Sequence, residues 1–533
     1  MGEISNNKNS NSYQKSKCTA ESRKQQVKNE ARVIDVSIAV FFDGTLNNKY
    51  NIEYRIDLQR KLAEQTKKKN SKDFSYFEYS RCKEKLEKLS DSYYNAFTNV
   101  FHLWDMFNES DNVMKIYVEG PGSAEPATDS KGRRVSIGDE DASIKGAGMG
   151  TGKQGVNGKV KEACKLISSR LYKYQGTTKT KINLTIRAFG FSRGATAARR
   201  FVSIINDLSE KEESLSYILQ RDLSKLIINK IKVDFMGLFD TVSSYGFLYN
   251  LNSDFVNSII KDNVEELKLS IPRSIPKVVH LVAVNEYREH YALTNIKSAD
   301  SRGIEIYLPG AHSDVGGGYH QTEKENLYIG PPYRPTAKTL EWKYSKSFIG
   351  WMSFDDLYKN RWINGWSYNT AKKRYLYLCD KKKYSQYKRE NEHELKGLIP
   401  YRSVDNSFAR IPLNIMYNLS SEYIPIAKNE IVTFKTQIKN YKQRTEQNKR
   451  MYDNIVYLIK AKALLEGYAY KHKSLYKMEE RGFSFCGNKN ERDILTGIRT
   501  KYIHLSANGE TAGGGSVKIN KPSEDNLRDI HNG

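Results

Sequence analysis

The sequence has little cysteine and proline and no long apolar run. Its five cysteines are scattered through 533 residues without a CxxC pair, so neither a disulfide framework nor a thiolate zinc site is indicated. Twelve prolines beside 36 tyrosines argue against a collagen-like or disordered chain. No apolar segment approaches the ~20 residues of a membrane-spanning helix, and the polar first residues lack the pattern of a signal peptide. We therefore expect synthesis in the cytoplasm, reduced thiols, and export only by a separate machine.

Acidic residues are also in deficit. The 86 lysines and arginines outnumber 62 acidic residues, which gives a net charge of +24. A basic surface can bind nucleic acid or an anionic membrane, or it can simply be solvated. Paired zinc ligands and aromatic RNA-binding signatures are both missing, so we predict no nucleic-acid partner. Scattered lysines are most often solvated, and a membrane role gains support only if the substrate is a lipid.

Apolar segments typical of strands alternate with segments at helical spacing. This alternation predicts an α/β fold with a mostly parallel sheet flanked by helices. In such sheets, functional residues follow the carboxyl ends of the strands. Strands are predicted at 33–42, 114–118, 231–239, 278–284 and 304–308.

Composition divides the chain into three parts. Residues 1–30 are rich in Asn, Ser, Lys and Gln and are predicted to be disordered. Residues 31–330 form the predicted catalytic domain, with a charged helical insertion at 51–95. Residues 331–533 are predicted to be a largely helical region, because apolar residues recur at helical spacing within 425–480.

One serine lies on a predicted strand-to-helix turn. Residues Lys181 to Phe189 alternate apolar and polar side chains, and Gly190-Phe-Ser192-Arg-Gly194 then leads into an alanine-rich helix. This is the pattern of the nucleophile elbow of α/β-hydrolases, whose serine forms an acyl ester. The pentapeptide alone is a weak signal, but the strand before it and the helix after it favour a catalytic Ser192.

Asp240 and His312 are the candidate partners of Ser192. The α/β-hydrolases place serine, then an acid, then histidine along the chain, and both candidates directly follow predicted strands. A helix-capping role is the alternative for Asp240, and His280 and His504 are rivals of His312. The glycine-rich segment after His312 favours it, because such a loop leaves room for the ring to reach the serine.

The oxyanion of an acyl-transfer reaction needs backbone donors. One is predicted to be the N–H of Arg193, directly after the serine. The second is predicted to be an N–H of Gly44 or Thr45, on the turn after the first strand. Glycine at that turn lets the backbone approach the substrate closely.

Asp43 and Asp314 are predicted to line the same site, together with Gly190 and Gly194. A divalent cation held by these carboxylates and Asp240 is the minority alternative, and we predict neither a metal nor another cofactor. The Asp43-Gly-Thr turn is also found in aspartyl-phosphate phosphatases, but their nucleophile would have to be at position 41, which is Phe41.

Six stretches carry motifs that occur together in one family. They are Phe41-Phe-Asp-Gly-Thr-Leu-Asn-Asn48, Tyr117-Val-Glu-Gly120, Gly146-Ala-Gly-Met-Gly-Thr-Gly152, Gly190-Phe-Ser-Arg-Gly-Ala195, Gly237-Leu-Phe-Asp-Thr-Val242 and Pro309-Gly-Ala-His-Ser-Asp-Val-Gly-Gly-Gly-Tyr319. In this order they resemble the first class of bacterial type VI secretion lipase effectors, the Tle family. Two later stretches are also similar, Ile411-Pro-Leu-Asn-Ile-Met416 and Tyr502-Ile-His-Leu-Ser-Ala507. The resemblance therefore extends in islands over about residues 33–508.

This resemblance implies an α/β-hydrolase domain with phospholipase A activity on membrane glycerophospholipids and without a cofactor. It implies that Ser192, Asp240 and His312 are the catalytic triad. One departure is Leu46, which stands where the family often has glycine.

The resemblance also implies a toxin of bacterial competition. Type VI machinery would deliver it on a spike component into the periplasm of a target cell or into a host cell, and the producer would hold an immunity protein. Region 331–533 would then supply any membrane-docking surface. Two alternatives stay open: an esterase acting on non-phospholipid esters, and a catalytically inactive toxin or binding module with the same fold.

Overall fold

The computed structural model describes residues 33–89, 91–124, 154–175, 180–243, 264–288, 290–326, 358–362, 369, 401–426, 449–505, 523 and 527–533. The predictions for residues 1–30 and for the glycine-rich stretch 146–152 lie outside these residues.

The strands follow one another along the chain as parts of a large sheet and of small two-stranded sheets. They are β1 (Val33–Phe42), β2 (Val113–Val118), β3 (Thr180–Phe191), β4 (Leu226–Phe239), β5 (Val278–Ala283), β6 (Leu293–Thr294), β7 (Gly303–Leu308), β8 (Thr322–Asn326), β9 (Tyr401–Asp405), β10 (Tyr476–Met478), β11 (Phe483–Phe485) and β12 (Ile530–His531).

The helices flank and connect these strands. They are α1 (Lys49–Lys67), α2 (Tyr76–Glu87), α3 (Asp91–Tyr94), α4 (Asn99–Asp105), α5 (Val156–Leu171), α6 (Arg193–Ile204), α7 (Leu215–Asp222), α8 (His312–Gly316), α9 (Arg410–Ser420), α10 (Lys449–Ala469), α11 (Lys489–Gly497) and α12 (Arg499–Tyr502). Short 3₁₀ helices lie at Tyr172–Tyr174, Leu208–Glu213, Lys297–Arg302 and Asn406–Ala409.

Within the described part of the chain, six strands form one parallel sheet in the order β2-β1-β3-β4-β5-β7. The registers bring the strand ends together: Phe42 pairs with Gly190, and Phe191 pairs with Phe239. The predicted α/β fold with a mostly parallel sheet is therefore confirmed, and it is α/β-hydrolase-like. The residues that follow β1, β3, β4 and β7 meet along one edge.

The alternation in the sequence of β3 decides which residues enter the core. Its first eight residues alternate between buried and half-buried, and its last four are buried. Apolar residues of α5, α6 and α7 cover one face of the sheet. Apolar residues of α4, α9 and α10 cover the other face. Burial on both faces is why the central strands are apolar at their carboxyl ends.

The last part of the chain joins this core. Leu458 and Leu465 of α10 and Leu495 of α11 share one apolar cluster with sheet residues. The final segment pairs β12 in parallel with β6 through Ile530–Leu293 and His531–Thr294. Among the described residues, no helix has the length and apolar character required to cross a bilayer.

Candidate active site

Ser192 lies on the sharp turn between β3 and α6. Its backbone has φ +58° and ψ −129°, a conformation that is strained for a residue with a side chain. A Cβ at Gly190 would lie 2.5 Å from the Ala195 Cα, and one at Gly194 would lie 2.1 Å from the Asp43 carbonyl oxygen. Both positions therefore require glycine, because α6 packs directly against β3 and the turn after β1. This is the geometry of a nucleophile elbow.

Asp240 and His312 form a short, buried hydrogen bond. The imidazole Nδ1 lies 2.5 Å from Asp240 Oδ2. Asp240 directly follows β4 and has φ +42°, while His312 begins α8, four residues after β7. Two positions separated by 72 residues are thus joined at the carboxyl edge of the sheet.

The imidazole of His312 lies beside the elbow. Its ring centroid is 4.6 Å from that of Phe191, the residue before the serine, and 5.1 Å from that of Tyr291. Within the described residues, no hydrogen bond joins the Ser192 hydroxyl to His312. Such bonds are often long without substrate and shorten only in the reacting complex. The structure thus unites the acid and the histidine next to the elbow and leaves the serine bond unmade.

Arg528 holds the other side of the Asp240 carboxylate. Its two terminal nitrogens lie 2.8 Å from Oδ1 and 2.9 Å from Oδ2. The Ala283 amide also donates to Oδ1, at 2.9 Å. Sequence reasoning missed Arg528, because it lies in a polar tail without a motif and 288 residues from its partner.

Burial and charge set the protonation of this pair. Burial alone would raise the pKa of Asp240, but Arg528 and His312 hold it well below its usual range. Burial lowers the pKa of His312 below its ordinary value, and Asp240 only partly opposes this shift. At pH 7 the aspartate is therefore ionised and the imidazole is neutral, which is the form that can accept a proton.

Glu286 fixes the backbone of His312. Its Oε2 accepts the His312 N–H at 3.2 Å and lies 2.8 Å from an Arg288 nitrogen. Burial alone would raise the pKa of Glu286, but Arg288 lowers it to about 2. The ionised carboxylate is thus a permanent acceptor at the start of α8. Sequence reasoning missed Glu286, since no motif surrounds this position.

Asp43 organises the turn after β1. Its Oδ1 accepts the Gly44 N–H and the Thr98 hydroxyl, each at 2.7 Å, and its Oδ2 accepts the Tyr117 hydroxyl at 2.6 Å. Burial raises the pKa of Asp43 to about 6. The Gly44 N–H is thus occupied by a neighbouring carboxylate.

The same turn contacts the elbow. Arg193 Nε donates to Thr45 Oγ1 at 2.8 Å, and a Cβ at Gly44 would lie 2.5 Å from the Phe191 ring. Among the described residues, no group accepts a hydrogen bond from the Thr45 N–H. The two predicted sources of oxyanion donors, the β1 turn and the start of α6, therefore lie next to each other.

Asp314 holds the loop that carries His312. Its Oδ2 accepts the N–H groups of Ala311 at 2.8 Å and His504 at 2.9 Å, and its Oδ1 lies 2.6 Å from His504 Nδ1. The His504 ring stacks on Tyr319, with 3.8 Å between centroids. This second histidine–aspartate pair ties α8 to the chain after α12.

The rival histidines belong to other networks. His280 Nε2 accepts the Thr241 N–H at 3.0 Å, and its Nδ1 lies 2.8 Å from Glu305. His504 is paired with Asp314, as described above. Neither has a hydrogen bond with Asp240 in the part of the chain that the structure describes.

The carboxylates of the predicted site do not share a ligand position. Asp43, Asp240 and Asp314 each accept hydrogen bonds from different protein groups. In the described ranges, no three His, Cys, Asp or Glu side chains are grouped as metal ligands would be.

The described residues thus form a parallel α/β-hydrolase-like sheet with a strained serine turn beside a histidine–aspartate pair. Residues 209–353, which include Asp240 and His312, match the family model described as "T6SS, Phospholipase effector Tle1-like, catalytic domain". This match confirms the resemblance to type VI secretion lipase effectors that the sequence motifs predicted.

Two solved structures are also similar. A structure titled "Structure of the Tle1 effector bound to the VgrG spike from the Type 6 secretion system" is 19% identical, covers 95% of each chain and has a TM-score of 0.48. An uncharacterized protein from Pseudomonas aeruginosa is 18% identical over 56% of this chain and 44% of its own, with a TM-score of 0.26. No curated protein matches the chain.

Proposed function

We propose that this protein is a serine hydrolase of the phospholipase A type, which cleaves acyl esters of membrane glycerophospholipids as an antibacterial type VI secretion effector. The family match over residues 209–353 supports the lipid-ester class. The observation that carries the chemistry is the 2.5 Å bond between His312 and Asp240 beside the strained turn of Ser192.

In the proposed reaction, Ser192 Oγ attacks the ester carbonyl while its proton passes to His312 Nε2. Asp240 accepts a hydrogen bond from Nδ1–H of the ring, remains ionised, and stabilises the imidazolium that forms. The imidazolium returns the proton to the departing lysophospholipid alcohol. Water then attacks the acyl-serine with His312 as base, and a free fatty acid leaves.

Backbone amides hold the oxyanion of each tetrahedral intermediate in this proposal. The Arg193 N–H follows the nucleophile, as in other elbow hydrolases. The second donor is the Thr45 N–H, since the Gly44 N–H already donates to Asp43. One such donor contributes about 3–4 kcal/mol to transition-state stabilisation.

Lipid mass spectrometry tests the activity. Wild-type protein is incubated with phosphatidylglycerol and phosphatidylethanolamine vesicles, beside Ser192→Ala and the matched control Ser203→Ala, which alters another serine near the end of α6. We expect lysophospholipid and fatty acid from wild type and Ser203→Ala only. The position of the remaining acyl chain distinguishes A1 from A2 cleavage. Equal product from Ser192→Ala would contradict the proposal.

The same set of variants separates the alternatives. An esterase for other substrates would cleave short-chain esters and leave the vesicles intact. A catalytically inactive module would retain its toxicity in Ser192→Ala.

Delivery and immunity are proposed on the family resemblance. We expect binding to a type VI spike component and to an immunity protein made by the producer. We expect a competitor cell to survive a strain that carries Ser192→Ala, which tests toxicity. We also expect it to survive a strain without the type VI machine, which tests the route.

A further inference from the structure

All three nitrogens of the Arg528 guanidinium donate hydrogen bonds at or beside Asp240. Beside its two bonds to the carboxylate, its Nε donates to the Tyr291 carbonyl at 2.8 Å, and one terminal nitrogen donates to the Ala283 carbonyl at 3.0 Å. The side chain is 2% exposed. A planar, bidentate arrangement fixes both oxygens of a carboxylate, which a single ammonium cannot do.

Backbone hydrogen bonds of the last described residues position Arg528 at the edge of the sheet. The Leu293 N–H donates to the Asp529 carbonyl at 2.8 Å and the Asn295 N–H to the His531 carbonyl at 2.9 Å. Beyond this pairing, Asp529 forms an exposed ion pair with Arg481 at 2.8 Å. The segment 527–533 is therefore held by its backbone, while the Arg528 side chain enters the sheet edge.

We propose that Arg528 is a positioning residue of the active site, through which segment 527–533 completes the Ser192–His312–Asp240 arrangement. This inference rests on the proposed function. Arg528 touches neither substrate nor the reacting atoms. It orients the carboxylate so that Oδ2 faces His312 Nδ1, and it compensates the buried negative charge.

Several charged groups surround the histidine, and the effect of Arg528 must be considered among them. These are Asp240, Glu286, Arg288 and Arg528. Removal of Arg528 leaves one more net negative charge near the imidazole. The imidazolium is then favoured, so the acid limb of the pH–rate profile moves to higher pH.

The test compares Arg528→Gln and Arg528→Lys with Asp529→Asn. The last variant removes only the exposed ion pair of the same segment and is the matched control. The first measurement is the low-field proton NMR signal of His312 Nδ1–H, which reports the bond to Asp240 without any substrate. The second is the pH dependence of fluorophosphonate labelling at Ser192.

We expect the Nδ1 signal to shift or disappear in both Arg528 variants and to persist in Asp529→Asn. Labelling should slow by about tenfold or more, because a misplaced carboxylate no longer holds the imidazole in a productive orientation, with an acid limb at higher pH in Arg528→Gln. Free guanidinium should partly restore labelling to Arg528→Gly, which a purely structural role does not predict.

An unchanged Nδ1 signal in folded Arg528→Gln would overturn the inference. If that variant fails to fold, Arg528→Lys decides, and a wild-type signal and labelling rate in it would likewise overturn the inference. Wild-type protein that neither labels nor cleaves lipid would instead contradict the proposed function, because the NMR result does not depend on activity.

A different observation concerns the exposed end of the α1–α2 hairpin. Tyr76 and Phe77, in the first turn of α2, are 74% and 70% exposed. The segment before them contains four exposed lysines, and Asp73 is the only acidic residue between positions 67 and 77. These lysines are Lys67, Lys68, Lys69 and Lys72. The Ser75 N–H donates to the Gln65 side chain at 2.9 Å and ties the two helices together there.

We infer that this hairpin end docks on an anionic phospholipid surface. Aromatic rings insert at the level of lipid headgroups, and lysines near an anionic bilayer are attracted to its negative surface potential. Charge complementarity therefore selects the bilayer over an apolar protein groove. The inference does not need catalysis, so it stands apart from the proposed function.

Vesicle sedimentation in the Ser192→Ala background tests this docking. Phosphatidylglycerol and phosphatidylcholine vesicles are compared at low and high salt. Binding to anionic vesicles should fall at least tenfold in each of two variants. One combines Tyr76→Ser with Phe77→Ser, and the other combines Lys67→Gln, Lys68→Gln, Lys69→Gln and Lys72→Gln. Tyr172→Ser is the matched control, since Tyr172 is 67% exposed and stands beside a lysine elsewhere. Unchanged binding in both hairpin variants, or no binding by the parent protein, would overturn the inference.

Discussion

Asp240→Asn is expected to slow acylation of Ser192 by about 10⁴-fold, or about 5.4 kcal/mol of barrier. In the wild-type protein the carboxylate accepts four hydrogen bonds, from His312 Nδ1, the Ala283 amide and two nitrogens of Arg528. Asparagine would replace one acceptor oxygen by an NH₂ group. Whichever oxygen is replaced, the NH₂ faces two donors.

The expected loss of rate follows from the tautomer of His312. With the NH₂ next to His312, the ring presents Nδ1 as an acceptor and carries its proton on Nε2. That tautomer cannot take the serine proton. A second effect is instability, because removal of one charge from a buried pair costs about 3–5 kcal/mol. Thermal unfolding must therefore accompany every rate.

The assay is the pre-steady-state burst on a nitrophenyl ester, with Asp234→Asn as control. Asp234 lies on the same strand and forms a similar fork with Arg187, at 3.0 and 3.1 Å, but it has no hydrogen bond to a histidine of the described chain. We expect the control to keep wild-type acylation within a few-fold. A folded Asp240→Asn protein within tenfold of wild type would refute the proposed role of Asp240.

The remaining predictions concern His312, Gly194 and His504. Because burial lowers the pKa of His312, the acid limb of kcat/KM should lie below the ordinary histidine value of 6.5; a limb above that value would contradict the neutral base. Gly194→Ala should lose labelling and about 1–3 kcal/mol of stability through overpacking. By contrast, Gly467→Ala should be neutral or stabilising, because within the described residues no atom beyond the neighbouring backbone of its own helix lies within 4 Å of the added Cβ. Burial alone lowers the pKa of His504, but its aspartate partner raises it above 6.5. The contribution of protonated His504 to the free energy of unfolding is therefore complete below pH 6.5, and it declines as pH rises through the pKa of His504 in the folded protein. The difference in Tm between wild type and His504→Gln should accordingly narrow from pH 6 to pH 9. A constant difference would contradict this.

The strand ends could be predicted from sequence because they depend on local patterns. The alternation before Gly190 and the small residues after Gly194 specify strand, turn and helix within twenty positions. Parallel pairing then brings such turns to one edge. The start of β4 was predicted too late, at Ile231 rather than Leu226, because lysines and exposed residues interrupt its first half.

The partners of the site could not be predicted, because they depend on distant contacts. Arg528 reaches Asp240 across 288 positions, and Thr98 reaches Asp43 across 55. Neither lies in a motif. Such contacts depend on how the chain packs, and no periodicity records them.

The helical prediction for 425–480 illustrates the same limit. Its apolar spacing correctly indicates α10, which ends at Ala469. Beyond it, His472 has φ +56°, and the chain turns into the hairpin of β10 and β11. Strands of three residues carry too little pattern to be recognised, and their pairing partners and tertiary contacts determine them.

Peptide mapping of the fluorophosphonate adduct tests the central claim most directly. The protein is labelled, digested and sequenced by mass spectrometry, with His312→Gln treated in parallel. The proposed mechanism predicts one modified residue, Ser192, and little or no adduct in the histidine variant. An adduct on any other residue, or undiminished labelling of Ser192 without the imidazole, would contradict it.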